Sequence, residues 1–272
     1  MQIINPGNVL PFYLSKYSKM RYRAGCKEFN WAIPVPIGRS LSFQLPVNAT
    51  DLDSAYSVQL MDENEDEVGS ATFDVVSYSQ DTDGNAWITI GADISLLNAL
   101  DCGIYSVRID YLESTVVAYS EDFRVVNLGQ KENAYKITFS NDTDVDGILY
   151  QTGYEQSFWF LDGIFDTPEI VEVLETATDG DSVEVVTFQS IQRREVLKFP
   201  YVPDFWQGML HRLRMYDNVT LLKVQTSETW EIAGQGIAFA TEEQDVCFKK
   251  GILSWIASTQ VMVGCETNVT LV

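Results

Sequence analysis

The chain has 272 residues, 46% of them apolar and 21% charged, which supports a packed core and excludes wholesale disorder. Its 39 acids and 18 bases leave a net charge of −21, which disfavours binding to nucleic acid or to an anionic membrane surface. No apolar run reaches the roughly 18 residues that a membrane span needs. A single histidine, His211, beside four cysteines without C-x-x-C spacing argues against a zinc site.

The N-terminal stretch MQIINPGNVLPFYLSKYSK has neither a leading basic cluster nor a continuous apolar segment, so a secretion signal is not expected and folding in a cytoplasm is. The four cysteines, Cys26, Cys102, Cys247 and Cys265, are then expected reduced and buried, with a disulfide between distant pairs the open alternative. Residues 1–27 hold Lys16, Lys19, Arg21, Arg23 and Lys27 and no acid, a local charge of +5; the remainder therefore sums to −26. From Lys19 to Ala24 the order K-M-R-Y-R-A alternates, with Met20, Tyr22 and Ala24 on one side and the cations on the other. That pattern predicts an extended basic arm over 1–30, able to add to a sheet edge. Pro6, Pro11, Pro34, Pro36 and Pro46 disfavour helix here. Two fates are open to the arm. It docks on the acidic body of a neighbouring copy through Lys16, Lys19, Met20, Arg21, Tyr22, Arg23 and Lys27, or it folds back on its own body.

Short alternating runs separated by turn residues follow, the mark of an all-β chain. SLSFQLPV, AYSVQLMD, SATFDVVSYS, AWITIG, IYSVRIDYLE and EDFRVVN lie between residues 40 and 127. Asp101, Gly103 and Tyr105 have the D-x-G-x-Y spacing that precedes strand F of immunoglobulin-like sandwiches, where the tyrosine hydroxyl ties a corner to upstream backbone. Val107 stands where an antibody domain has its second cysteine. The expectation is an immunoglobulin-like β-sandwich over 31–128. The polar stretch NLGQKENA, 127–134, marks the boundary with a second β-rich domain, 129–272.

The second domain opens on KITFSNDTDVDGILYQ, in which Asp142, Asp144, Asp146 and Gly147 match the first half of a calcium loop. Position 12 of that pattern, where a bidentate glutamate belongs, is Gly153, and KITFS alternates as a strand where a helix is required. The stretch therefore reads as a polar turn between two strands, with those three aspartates as the residues to name should a cation bind. Further strands are expected in QSFWFLDG, PEIVEVLE, DSVEVVTFQS, EVLKFPYV, NVTLLKVQ, TWEIAG, DVCFKK and GILSWIAS. One segment, about 203–216, reads as a helix covering a sheet: Phe205, Trp206, Met209, Leu210 and Leu213 form one apolar stripe, with Gln207, His211, Arg212 and Arg214 outward.

Catalytic signatures are missing from the sequence. There is no G-x-S-x-G, H-E-x-x-H or P-loop, and any histidine-based triad would have to use His211. No cofactor is implied. The aromatic run Phe158, Trp159, Phe160 and Phe165 suits a core or interface, or else an exposed carbohydrate platform. Four N-x-[ST] sequons, at Asn48, Asn141, Asn218 and Asn268, read as ordinary turn and strand-end composition.

INPGNVLPFYL, GIYSVRIDY followed by YSEDFRVVN, ITFSND, DGILYQTGY and PDFWQGMLHRLRMYDNVTLL together resemble structural proteins of tailed phages of Bacteroides-type hosts, the crAss-like phages. The resemblance spans most of the chain as strand-and-turn patterns and carries no site residues. It implies a virion component of a neck or tail ring, a cyclic homo-oligomer that contacts other tail or neck proteins and has no enzymatic activity. An acidic channel in such a ring would repel DNA and let it pass without sticking. The alternative from another class is a two-domain adhesin or carbohydrate-binding protein.

Overall fold

The computed structural model describes residues 9–23, 32–37, 42–48, 56–70, 74–80, 85–91, 100–111, 117–128, 133–141, 156–178, 180, 184–243, 247–263 and 269–271. The fold is all-β, as the alternating runs predict, with one α-helix among the described residues. In the first half the strands are β1 (Phe12–Tyr13), β2 (Ile33–Pro36), β3 (Ser42–Asn48), β4 (Tyr56–Asp62), β5 (Glu67–Ser70), β6 (Asp74–Gln80), β7 (Asn85–Gly91), β8 (Gly103–Tyr111), β9 (Val117–Ser120) and β10 (Phe123–Val126). β8 is the centre of one sheet: it pairs β4 along one edge and the β9–β10 segment along the other, and β5 continues from β4. β1 pairs β9, and β2 pairs β10 in the one parallel pairing described. The order β3-β7-β6 makes a separate sheet. SATFDVVSYS, expected as one strand, is thus divided: β5 ends at Ser70 in the first sheet and β6 starts at Asp74 in the other.

Local chemistry fixes two corners. The Asp62 carboxylate accepts from the backbone N–H groups of Asn64 and Asp66 at 2.8 and 2.9 Å, closing the β4–β5 turn, in which Glu65 takes a positive φ of 69°. These bonds hold the Asp62 carboxyl below its usual range. Tyr105 donates its hydroxyl to the Asp101 carbonyl at 3.0 Å, the tie that the D-x-G-x-Y spacing predicts.

The second half begins with β11 (Tyr135–Ser140) and β12 (Gln156–Phe160), followed by β13 (Ile164–Phe165), β14 (Glu169–Thr178) and β15 (Glu184–Pro203). Helix α1 (Gln207–Arg212) comes next, then β16 (Asn218–Lys223), β17 (Glu228–Glu231), β18 (Ala238–Glu243), β19 (Phe248–Val263) and β20 (Val269–Leu271). One antiparallel sheet runs β12-β11-β16-β17; the other runs β13-β15-β19-β18, with β14 on β15 and β20 on β19. DSVEVVTFQS and EVLKFPYV, expected as separate strands, are a single 20-residue strand.

The expected helix over 203–216 is shorter and composite. Asp204–Trp206 and Leu213–Met215 are 3-10 turns on either side of α1. Its apolar stripe is placed as the spacing requires, since Trp206, Met209, Leu210 and Leu213 are buried and His211 and Arg214 are exposed. Trp206 packs edge-on against Phe158 and Phe160, at centroid distances of 4.9 and 5.5 Å, and Phe160 stacks on Phe199 at 4.0 Å. The core continues from these rings to Val9, Leu10, Phe12, Phe123 and Val125 without a break, so both halves share it. Two glycines are needed where they stand. Gly251 lies against Val202, whose Cγ2 would be 2.5 Å from an added Cβ; Gly236 combines φ of +60° with the Ile256 side chain at 2.8 Å.

Candidate interaction surfaces

The basic arm adds to a sheet edge of its own chain at β1, but its cationic stretch from Lys16 to Tyr22 is not a strand. Residues Lys16–Ser18 and Met20–Tyr22 form two 3-10 turns, correcting the strand that the K-M-R-Y-R-A alternation predicts. The reason is a pair of acids on the same chain. Between β9 and β10 the chain breaks at Glu121 and Asp122, both buried, and the turns bring arm groups onto them. The Met20 backbone N–H donates to Glu121 Oε1 at 2.9 Å, and Lys19 Nζ donates to Asp122 Oδ1 at 3.0 Å. A strand would send these two neighbours to opposite faces. On the turn both go inward, leaving Lys19 2% and Met20 4% exposed.

The remaining arm cations are engaged in the same way. Lys16 Nζ lies 2.6 Å from Glu65 Oε2, and the Tyr22 hydroxyl donates to Glu65 Oε1 at 2.8 Å. Arg21 Nε sits 3.1 Å from Asp122 Oδ2 as an ion pair without an aligned hydrogen bond. Arg23 donates to the Tyr13 hydroxyl and to the Ser18 carbonyl, and Tyr13 in turn donates to Glu121 Oε2 at 3.2 Å. Of the two fates open to the arm, these residues take the fold-back; Lys27 lies outside the described residues.

Burial dominates the electrostatics of this latch. It pushes the Glu121 carboxyl above the usual carboxylate range, although the Met20 N–H bond pulls the other way. It also lowers the Lys19 ammonium, outweighing the attraction of Asp122. The Tyr13 hydroxyl is raised by burial first and by Glu121 second. On the far side Met20 packs with Cys247 and Phe248, and Trp206 Nε1 donates to the Val9 carbonyl at 2.8 Å. Residues 9–23 therefore strap the two halves together.

The other sequence candidates are soon placed. Trp159 is 7% exposed under Lys136 Nζ, 5.4 Å from its ring centroid. It lines a crevice of about 190 Å³ with Pro34, Arg124 and Tyr201, so it is a wall residue and not an exposed platform. His211 stands exposed on α1 with its ring nearly perpendicular to that of Phe239. Asp142, Asp144 and Asp146 lie outside the described residues. Cys102 is free, as expected, but exposed, whereas Cys247 is buried, as expected, but takes the disulfide alternative. Among the described residues no helix is long and apolar enough to cross a membrane.

A second surface was not among the sequence candidates. β14, the outer half of β15, the end of β19 and β20 form a blade that continues past the core. Nearly every β14 residue is solvent-exposed, including Ile170 at 66%, Val173 at 39% and Leu174 at 53%. Ile170, Glu172 and Leu174 share one face with Arg193, Ile191 and Gln189; Val171, Val173 and Glu175 share the other with Gln192, Ser190 and Phe188. Apolar side chains thus sit on both faces, and β14 pairs no described strand beyond β15. The visible signal is EIVEVLETAT itself, whose apolar residues occur in adjacent pairs between glutamates instead of alternating. No protein-family model matches the chain, and no curated protein matches it.

Proposed function

We propose that the chain is a non-enzymatic structural subunit of a phage virion, part of a tail or neck ring made by contacts between copies and with neighbouring tail or neck proteins. The observation that carries the assembly reading is the blade. A folded chain that holds a ten-residue strand with Ile170, Val173 and Leu174 in solvent has an apolar surface of the kind that natural proteins cover with a partner. The virion setting is supported by the likeness to crAss-like phage structural proteins. The strand order of the first half, β5-β4-β8-β10-β2 beside β3-β7-β6, and the Tyr105 tie support an immunoglobulin-like sandwich there, a module suited to presenting loops and edges.

The arm has a revised place in this reading. Its cations hold the subunit together and leave assembly to the blade. An adhesin would need an aromatic platform facing solvent, and Trp159 does not supply one. Electron microscopy of the purified chain, with a glycan array beside it, separates the two. Closed rings or stacked particles support the structural subunit. Isolated monomers that bind a specific sugar, with binding lost on Trp159→Ala, overturn it in favour of the adhesin.

A further inference from the structure

We infer that Cys247 is bonded to Cys26, so that a covalent lock fastens the end of the strap to the start of β19. Cys247 is disulfide-bonded and Cys102 is free, which leaves Cys26 and Cys265 as the possible partners among the four cysteines. Both of those lie outside the described residues, and reach along the chain decides between them.

The two α-carbons of a disulfide stand about 4.4–6.8 Å apart. Cys247 immediately precedes Phe248, the first residue of β19, and Cys265 comes two residues after Val263, the last. β19 is laddered to β15 from Phe248↔Pro203 to Val263↔Phe188, so its 16 residues are held extended over about 50 Å. Two further residues span at most about 7 Å, and Cys265 falls far short of Cys247. Cys26 has no such obstacle. Met20 packs on Cys247 and Phe248, and Cys26 lies six residues beyond Met20, a tether of up to about 21 Å that starts from side-chain contact.

The strap then has two fastenings of different kinds. Ion pairs from Lys19 and Arg21 to Asp122 hold it to the first half of the chain, and the disulfide holds it to the second. The bond closes a loop of about 220 residues, which removes from the unfolded chain the conformations that separate strap and β19. Met20 is placed by its own N–H bond to Glu121, so the thiols are near each other before they join. Joining proceeds by exchange with a small disulfide such as oxidised glutathione. Each thiol loses its proton, the two sulfurs bond, and the small disulfide takes up the two electrons and two protons and leaves as two thiols. A chain folded in a reducing cytoplasm carries the strap on its non-covalent contacts alone and gains the lock in oxidising surroundings. Cys247 is 2% exposed, so in the folded chain the finished bond is shielded from thiol reductants.

The test maps the bond in the full chain, equilibrated with oxidised glutathione and then alkylated in denaturant without reductant. Trypsin leaves Cys26 on peptide 24–27 and Cys247 on 224–249, apart from Cys102 on 40–108 and Cys265 on 251–272. Mass spectrometry should find 24–27 joined to 224–249, with Cys102 and Cys265 alkylated. Cys26→Ser should lower the melting temperature by roughly 5–15 °C, matching wild type refolded with its thiols kept reduced, and Cys265→Ser should leave it unchanged. Peptide 224–249 joined to 251–272, Cys247 found alkylated, or a cross-linked dimer on a non-reducing gel overturns the pairing. A mapped bond whose loss leaves the melting temperature unchanged overturns the lock. The particle images judge the assembly reading separately, whichever of these results is found.

Discussion

The strap and the blade are the two regions in which the sequence shows side chains without an evident partner, cations in the first and apolar groups in the second. In the strap every such group that the structure describes ends on the chain itself, because Glu65, Glu121 and Asp122 stand where the turns can reach them. Among the described residues the blade's exposed apolar side chains have no counterpart of that kind. Its central strands β15 and β19 extend beyond the core, and β14 follows them into solvent. Apparent availability in a sequence therefore separates into two cases only when the rest of the chain is known to answer it or not. On the proposed reading, stability resides in the strap and assembly in the blade, and substitutions in the two regions should break apart along that line.

The largest effect is expected at Trp206, where the strap and the second-half core meet. Trp206→Ala removes a fully buried ring touching Phe158 and Phe160 and costs about 3–5 kcal/mol in urea unfolding. Trp206→Phe keeps most of the ring but leaves the Val9 carbonyl without its donor, at about 1–3 kcal/mol. If Trp206→Ala costs no more than a surface substitution, the strap does not hold the halves together.

Much of this was legible in the sequence, and the exceptions have physical causes. Period-2 alternation reports a strand with one wet face, which is why Tyr56–Asp62, Gly103–Tyr111 and Tyr135–Ser140 are found where the pattern predicts. The outer half of β15 buries only Ser190 among its described side chains, and its polar stretch Gln192-Arg193-Arg194 reads as a break although pairing to β14 and β19 carries the strand straight through. The arm fails for the opposite reason. Its alternation is genuine, but long-range capture of the Met20 N–H by Glu121, 101 residues away, outweighs a local preference. The helix stripe was readable because burial of Trp206, Met209, Leu210 and Leu213 follows from 3.6-residue periodicity alone.

A second effect belongs to the latch, and its pH dependence has a definite sign. Glu121→Ala leaves the Met20 N–H and the Tyr13 hydroxyl without their shared acceptor in a buried site, at about 1–3 kcal/mol. Because burial raises the folded-state pKa of Glu121, its contribution to stability is fully present below the ordinary carboxylate value. It is lost as pH rises through the raised one. Glu121→Gln keeps the acceptor oxygen and removes the titration, so wild type should lose stability relative to this variant as pH climbs from acid toward neutral. A difference between the two that stays flat over that window, in urea unfolding at a series of pH values, contradicts a charged, desolvated latch. Lys19 adds a second slope on the alkaline side: its depressed value gives a contribution present above the ordinary lysine range and lost as pH falls.

The smallest effect is expected in the blade, and there a near-zero result carries the information. Ile170→Ser and Leu174→Ser alter side chains that are more than half exposed, so each should change the unfolding free energy of the dilute chain by less than about 0.5 kcal/mol. Leu210→Ala, made in a fully buried position of α1, should cost about 2–5 kcal/mol under the same conditions. The comparison sharpens when concentration is raised. If the blade is covered by another copy, wild type gains melting temperature with concentration, because association stabilises only the folded chain. The two serine variants should lose that gain while matching wild type when dilute. A blade that contributed to the monomer's own core would give the reverse, a large cost at every concentration and no change in its slope.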